Sequence, residues 1–545
     1  MHSYLADVMQ KLSCHPLFRA VLSGLLLAIS WPATGSITPL IFLAFIPLLL
    51  LEDDFSKSRK GGVFRYAFLA FLIWNIGSTY FIFYVEEPFM TKFTASAVTY
   101  VLNALFMASI FWLFHKTKKN IGRKQGYIGL VIYWLCFEYI HYHWDINWPW
   151  LNLGNVFSNR ISWIQWYEFI GVQGGTLWVW LVNLALFAWL KTHEKRFAYL
   201  GATILALPIT ISLCMFFAIE YEGQETEVIL VQPNVDPYTE KFELDPIDQL
   251  DSMFALAEPL IEEDTKFIFF PETALQEIGW IDMRTGEPVL IGLWESNFEN
   301  SRSYYRLRDF VEQYPHVELI IGASIRKKYG AKKETLTARE FKEKGFFYDT
   351  FNSAIHFTKN GFEFYHKGKL VPGTEKMPFA KYLAFLESLA WDLGGTSGSL
   401  GKQKDRELLG ESLRIAPLIC YESVFGDYVT DYTKLKADAF CIITNDAWWQ
   451  DAPGYEQHLY YASLRAIENR REIARSANTG VSAFIDKKGR IHQATEFGVK
   501  TAISGKIQKE ERMTVYATWG DYLTRPFLFV APLLILWTFF KPRKK

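Results

Sequence analysis

Cysteine is scarce in this chain, with five among 545 residues: Cys14, Cys136, Cys214, Cys420 and Cys441. Their spacing fits neither a zinc site nor a disulfide framework. Plain core packing is the first reading of Cys441, and a single Cys420–Cys441 bridge the second. Net charge is almost absent: 57 Lys and Arg against 58 Asp and Glu leave −1, which removes the electrostatic ground for a nucleic-acid partner. HExxH, a CxxC pair and a phosphate-type glycine loop are all missing, so no metal and no nucleotide cofactor is signalled. No internal repeat and no long low-complexity tract is visible.

Apolar sequence is plentiful. Half the residues are hydrophobic and 17% aromatic, against 21% charged, and these figures average two unlike regions. A chain of this length predicts two units or more. Residues 1–220 hold seven apolar runs, at about 16–33, 37–52, 63–84, 93–115, 126–142, 166–190 and 198–219, and an eighth lies at about 525–541. Crossing a bilayer takes about 20 mostly apolar residues, so about eight spans are expected, the second and last being short. The expected domains are therefore 1–220 as a transmembrane domain, 221–524 as an ordinary α/β domain, and 525–545 as a final span with a basic tail.

The short loops predict sidedness. Lys57, Arg59 and Lys60 lie after the second run, and Lys116, Lys118, Lys119, Arg123 and Lys124 after the fourth. Lys191, Lys195 and Arg196 follow the sixth, and the chain ends KPRKK; the alternate loops offer only Lys92 and Arg160. Positive loops stay in the cytoplasm. Both termini are then cytoplasmic, and residues 220–524 face the other side. Trp144, Trp148, Trp150, Trp163 and Trp166 fall on that outer side, as an interfacial belt or as the lining of a site where lipid enters at WPWLNLGN (148–155). Glu138 and Glu168 near span ends read as interfacial, and Asn75 and Asn103 as partners in helix–helix hydrogen bonds.

In the soluble half, short β-like runs recur: VILVQPNV (228–235), FIFFPET (267–273), VELIIGAS (317–324), NSAIHF (352–357), LRIAPLICYE (413–422) and AFCIITND (439–446). TKNG (358–361) signals a tight turn, and VSAFIDKKGRI (481–491) a hairpin. HLYYASLRAIENRREIARS (458–476) has apolar residues at helical spacing and predicts a helix. Mixed strands and helices over about 300 residues argue for one layered α/β domain.

Three residues at the ends of apolar runs carry candidate chemistry. Glu272 ends FIFFPE, Lys367 stands in YHKGKLVP, and Cys420 lies in APLICYES. Taken singly, each has a plain reading: a strand-end acid, a solvated lysine, a structural thiol. Brought together they form an acyl-transfer device, in which a thiolate attacks, a carboxylate takes its proton and an ammonium steadies the oxyanion. Cys420 at a strand-to-helix turn is expected to have a lowered pKa, from main-chain N–H groups and a helix N-terminus.

These strings resemble the nitrilase superfamily, carbon–nitrogen hydrolases and acyltransferases with a Glu-Lys-Cys triad on an αββα sandwich. Taken whole, the chain resembles the membrane-bound apolipoprotein N-acyltransferase family, through WPWLNLGN, VQPNV, YHKGKLVP with a following Glu375, CYES, TNDAWW, RAIENRREIARSANTGVS and the last span. The resemblance implies a monomer with a polytopic α-helical membrane domain plus an extracytoplasmic nitrilase-like αββα sandwich in a bacterial inner membrane. It implies Glu272 as general base, Lys367 as oxyanion stabiliser and Cys420 as nucleophile. Glu375 matches a second active-site glutamate, and Tyr421 and Glu422 the residues after the nucleophile. Two departures stand out: LVPGTE replaces the common LVPFGE before Glu375, and Phe242 stands where the family often has tryptophan.

The implied reaction moves the sn-1 acyl chain of a phospholipid, phosphatidylethanolamine first among them, through a Cys420 thioester. The acceptor is the α-amine of the diacylglyceryl-cysteine of an apolipoprotein. The apolar segment 376–395 reads as an ordinary packed helix or as a mobile arm dipping into lipid, and 290–298 as a second such arm. The alternative is a membrane-anchored amidase of nitrilase type, in which water resolves the thioester. A transporter with an accessory domain would need ionisable residues within its spans, and few are found.

Overall fold

The computed structural model describes residues 15–57, 61–220, 223–241, 243–277, 280–281, 288–289, 292–342, 344–379 and 399–540. Phe242, most of the 376–395 segment and the KPRKK tail lie outside them. The chain forms two compact units: residues 1–144, 148–219 and 519–545, and residues 145–147 with 220–518.

The first unit is helical. Among the described residues, four helices are long and apolar enough to cross a bilayer: Val63–Tyr84, Phe89–Asn120, Tyr167–Thr192 and Lys195–Ala218. Pro16–Ser30 and Phe527–Phe540 are apolar but shorter, with 15 and 14 residues. The second apolar run does not form one rod. It breaks into Thr38–Leu40, Ile41–Ala44 and Ile46–Lys57, with Pro39 and Pro47 each near the start of a new segment, where proline is tolerated. The break frees main-chain groups that apolar surroundings cannot satisfy. Asn183 satisfies two of them, accepting from Phe45 N at 3.1 Å and donating to Ile41 O at 3.0 Å.

Polar contacts tie these helices together. Asn103 Nδ2 donates to Asn75 Oδ1 at 2.7 Å, the helix–helix bond expected of that pair. The interfacial reading of Glu138 and Glu168 is corrected: both are buried. Glu138 accepts from Leu153 N (2.8 Å), Thr176 Oγ1 (2.6 Å) and Trp134 Nε1 (3.0 Å), because the irregular 148–157 segment has N–H groups that need a buried acceptor. Trp150 and Trp166 are likewise buried within the unit. Lys195–Ala218 differs, since among its residues only Gly201 and Ser212 are buried. An apolar helix left this bare is suited to lipid.

Among the described residues the second unit is built on two main sheets, beside a two-stranded ladder of Trp280–Ile281 and Pro288–Val289. In the larger, neighbouring strands run in the order Thr501–Gln508, Glu225–Gln232, Thr265–Phe269, Glu318–Lys328, Phe346–Thr358 and Arg339–Phe341, with Gly361–His366 pairing beside Phe346–Thr358. The smaller runs Ile415–Ile419, Ala439–Thr444, Ile473–Ala477, Ala483–Ile485 and Ile491–His492. Its first three strands are parallel and buried throughout, which explains the unbroken apolar run of Ile415–Ile419.

Alternate residues of the larger sheet, among them Ile229, Val231, Ile268, Phe270, Leu319 and Ile321, pack against Phe254 and Phe310 of the helices Pro246–Ala257 and Arg302–Gln313. Each such buried side chain contributes about 1.5–3 kcal/mol. The opposite faces of the two sheets meet: Ser476 Oγ donates to Val231 O at 2.9 Å, and Ser482 N to Gln232 Oε1 at 3.0 Å. The helices Gly426–Lys434 and Gly454–Asn469 belong to the smaller sheet's side, linked by Thr433 Oγ1 to Asn469 Oδ1 at 2.8 Å.

Two expectations are corrected here. The helix read over 458–476 ends at Asn469, and Ile473–Ala477 is a strand. Arg470 turns the chain at φ +51°, and pairing with Ala439–Thr444 outweighs the local helical spacing. The 290–298 segment, expected as a lipid-dipping arm, puts Leu293, Trp294 and Phe298 in the core. Leu293–Trp294 pairs with Ile325 and Arg326, and Phe298 is fully buried against Tyr304, Phe362 and Phe364.

Candidate active site

Three strand ends carry the candidate residues. Ile415–Ile419 is buried at every position and hands over directly to Cys420. Cys420 adopts φ +50°, a conformation that costs a residue with a Cβ and persists only where its surroundings enforce it. Glu272 lies three residues beyond Thr265–Phe269, before Thr273 at φ +51°. Lys367 follows Gly361–His366, its N–H donating to Asn352 O at 2.8 Å.

Lys367 Nζ is almost wholly buried and donates to two carboxylates, Glu375 Oε1 at 2.8 Å and Glu272 Oε1 at 3.1 Å. Asn352 Nδ2 bridges the same pair, at 2.7 Å to Glu272 and 3.1 Å to Glu375. Glu272 Oε2 accepts from Asn445 N at 3.0 Å, and Glu375 Oε2 from Val371 N at 2.8 Å. The altered LVPGTE loop therefore still aims Glu375 at Lys367. Gly373 makes this possible at φ +87°, a backbone shape glycine adopts without penalty.

Burial works against the charge of Lys367, but Glu272 and Glu375 outweigh it and raise its pKa well above the usual lysine range. Cys420 shows the opposite balance from the one expected. Burial of the thiol raises its pKa well above the ordinary value, Glu272 adds to that, and Lys367 only partly opposes it. Burial and Glu272 thus both favour the thiol form of Cys420 over the thiolate.

Tyr421 and Glu422 take different positions. Tyr421 directs its hydroxyl to Asn147 O at 2.9 Å. Glu422 is fully buried. Its Oε1 accepts from Tyr428 Oη (2.5 Å), Gly368 N (2.7 Å) and Tyr365 Oη (2.8 Å), and its Oε2 from Ile419 N (2.7 Å). One carboxylate thus joins the residue before Cys420 to the residue after Lys367. It supports the site from behind.

Several residues were missed by sequence reading. His458 Nε2 lies 3.1 Å from Cys420 O and 2.9 Å from Ser423 Oγ, while Nδ1 lies 2.9 Å from Asp446 Oδ1. Arg475 donates to Asp446 Oδ2 at 2.6 Å. Burial would raise the pKa of Asp446, but Arg475 and His458 hold it well below the usual carboxylate range. Lys241, also buried, donates to Thr273 Oγ1 beside Glu272. Burial lowers its pKa to about 8, against the pull of Glu272. The signal for Asp446 was available, since an acid inside the apolar AFCIITND run needs a buried cation. Cys420 and Cys441 are both free, with Cys441 fully buried, so the bridge reading is set aside.

The Apolipoprotein N-acyltransferase N-terminal domain model matches residues 23–185, and the Carbon-nitrogen hydrolase model residues 231–514. The second match alone covers more than half of the chain and contains Glu272, Lys367, Glu375 and Cys420. The chain belongs to the apolipoprotein N-acyltransferases, within the carbon–nitrogen hydrolase family. It is a membrane-protein enzyme with several apolar helices. The apolipoprotein N-acyltransferase of Chlorobaculum tepidum is 27% identical, over 98% of this chain and 99% of its own. Those of Geobacter metallireducens and Rickettsia bellii are 26% and 27% identical, over 92% and 94% of this chain and 91% and 94% of theirs. Membership of the family thus spans both units.

Proposed function

We propose that this enzyme transfers the sn-1 acyl chain of a phospholipid to the α-amine of a diacylglyceryl-cysteine at the N-terminus of an apolipoprotein. The observation that carries the reading is Lys367 held between Glu272 and Glu375, with Cys420 in the electrostatic reach of both Glu272 and Lys367. In the first half-reaction Cys420 Sγ bonds to the ester carbonyl while its proton passes to Glu272. Lys367 and the Tyr421 main-chain N–H steady the oxyanion. Glu272 then returns the proton to the departing glycerol oxygen as the C–O bond breaks. In the second half-reaction the acceptor amine attacks the thioester carbonyl, Glu272 takes one amine proton, and as the C–S bond breaks it passes that proton to sulfur, restoring the thiol.

Glu375 fixes the ammonium of Lys367 in place, and Glu422 holds the two chain segments in register. About eight spans, cytoplasmic termini and an extracytoplasmic domain complete the proposal, supported by the distribution of Lys and Arg among the short loops. Intact mass spectrometry of purified protein with a phosphatidylethanolamine of defined sn-1 chain tests the chemistry. A hydroxylamine-sensitive gain of one acyl group is expected in the wild type and in Cys441→Ala, and is lost in Cys420→Ala. An adduct that survives Cys420→Ala would refute the assignment.

A further inference from the structure

We propose that Lys369, Lys376 and Lys402 form a cationic subsite for the phosphodiester of the acyl donor, an inference that rests on the acyl-transfer reading above. Three chain segments bring these residues together beside Glu375. Lys376 follows Glu375 in a turn closed by Gly373 N to Lys376 O at 2.8 Å. The 399–403 segment lies against that turn: Leu400 N donates to Glu375 O at 2.8 Å, and Met377 N to Ser399 Oγ at 2.9 Å. The same segment reaches the Lys367 loop, where His366 N donates to Gln403 Oε1 at 2.9 Å. Gly368 packs so closely there that a Cβ would lie 3.0 Å from Gln403 O and 2.5 Å from Tyr428 Oη.

Aromatic rings link Lys369 to the segment that carries Cys420. Lys369 Nζ sits 4.6 Å from the Phe425 ring centre and 5.7 Å from that of Tyr428. Phe425 packs at 5.0 Å on Tyr421, which follows Cys420. Such ring faces hold a cation in place without cancelling its charge.

The cluster faces both acids and like charges. Lys376 faces Asp145 but is opposed by Lys402 and Lys369. Lys369 faces Asp427 and Glu422 but is opposed by Arg406 and Lys402. Glu422 is committed to the donors already described, and Arg406 to Asp431 at 3.6 Å and Lys404 O at 2.7 Å. Burial, reinforced by the two like charges, lowers the Lys376 pKa to about 8. An anion shared by these ammonium groups would relieve their mutual repulsion, and lysine serves as a point charge for phosphate. In a glycerophospholipid the phosphodiester lies a few bonds from the sn-1 ester. A donor whose ester carbonyl reaches Cys420 therefore carries its phosphate within the same neighbourhood.

The test compares two acyl donors on the full-length enzyme. One is phosphatidylethanolamine; the other is a p-nitrophenyl ester of the same acyl chain, which lacks phosphate. Acylation of Cys420 is followed by mass. In Lys376→Ala/Lys402→Ala the ratio of phospholipid to nitrophenyl-ester acylation should fall about tenfold, through the KM for phospholipid. The Lys376→Arg/Lys402→Arg variant should restore it. An unchanged ratio overturns the subsite. A wild type that accepts the nitrophenyl ester at Cys420 but no phospholipid overturns the donor reading beneath it, and the subsite with it.

Discussion

His458 stands behind Cys420, on the side of its carbonyl. With Nε2 protonated, the ring donates to Cys420 O, while Asp446 and Arg475 fix its orientation. A buried chain of this kind holds a φ of +50° that the residue would otherwise leave. His458→Ala should slow Cys420 acylation about tenfold or more with little change in KM. His458→Gln, which keeps an N–H donor, should recover part of the rate. A loss that Gln does not relieve, or one confined to KM, would contradict this positioning role. The strings around Glu272, Lys367 and Cys420 were legible because each ends an apolar run. His458 was not legible, because it sits on a helix whose neighbours give no hint of which carbonyl its ring will meet.

The strand Ile473–Ala477 is anchored by a buried acid at its start. Glu472 Oε2 accepts from Gln508 N at 2.8 Å, and Glu472 O from Phe440 N at 3.0 Å. Burial raises its pKa from the ordinary glutamate value to about 7, with the Gln508 bond only partly opposing the shift. The folded state therefore prefers the protonated acid. This contribution is complete below about pH 4.5, the unfolded value, and is lost as pH rises through about 7. Glu472→Gln keeps an acceptor and carries no charge. It should stabilise the protein above pH 7 by on the order of 1–3 kcal/mol and have little effect near pH 4.5. Thermal unfolding of the detergent-solubilised enzyme at the two pH values checks this, and equal effects at both would contradict it. The same stretch shows where periodicity misleads. The helical spacing of 458–476 continues past Asn469, but the strand pairing it overrides comes from residues 439–444, about thirty positions away.

For the whole chain, the apolar runs and their flanking cations predict which segments face which compartment. With a single reactive cysteine introduced, Lys333→Cys should react with a membrane-impermeant maleimide in intact spheroplasts. Lys119→Cys should react only after lysis. Reversed labelling would invert the proposed orientation. By itself the sequence determined the separation into an apolar helical part and a mixed α/β part, and the order of glutamate, lysine and cysteine. Both follow from local composition: apolar length is a property of a segment, and each candidate residue of the proposed triad sits at the end of its own strand. Only the tertiary structure decided that Glu375 shares Lys367 with Glu272, that Glu422 lies behind the site, and that Phe298 belongs to the core. Burial and hydrogen-bond partners are set by chain segments tens of residues apart, so no window of sequence contains them.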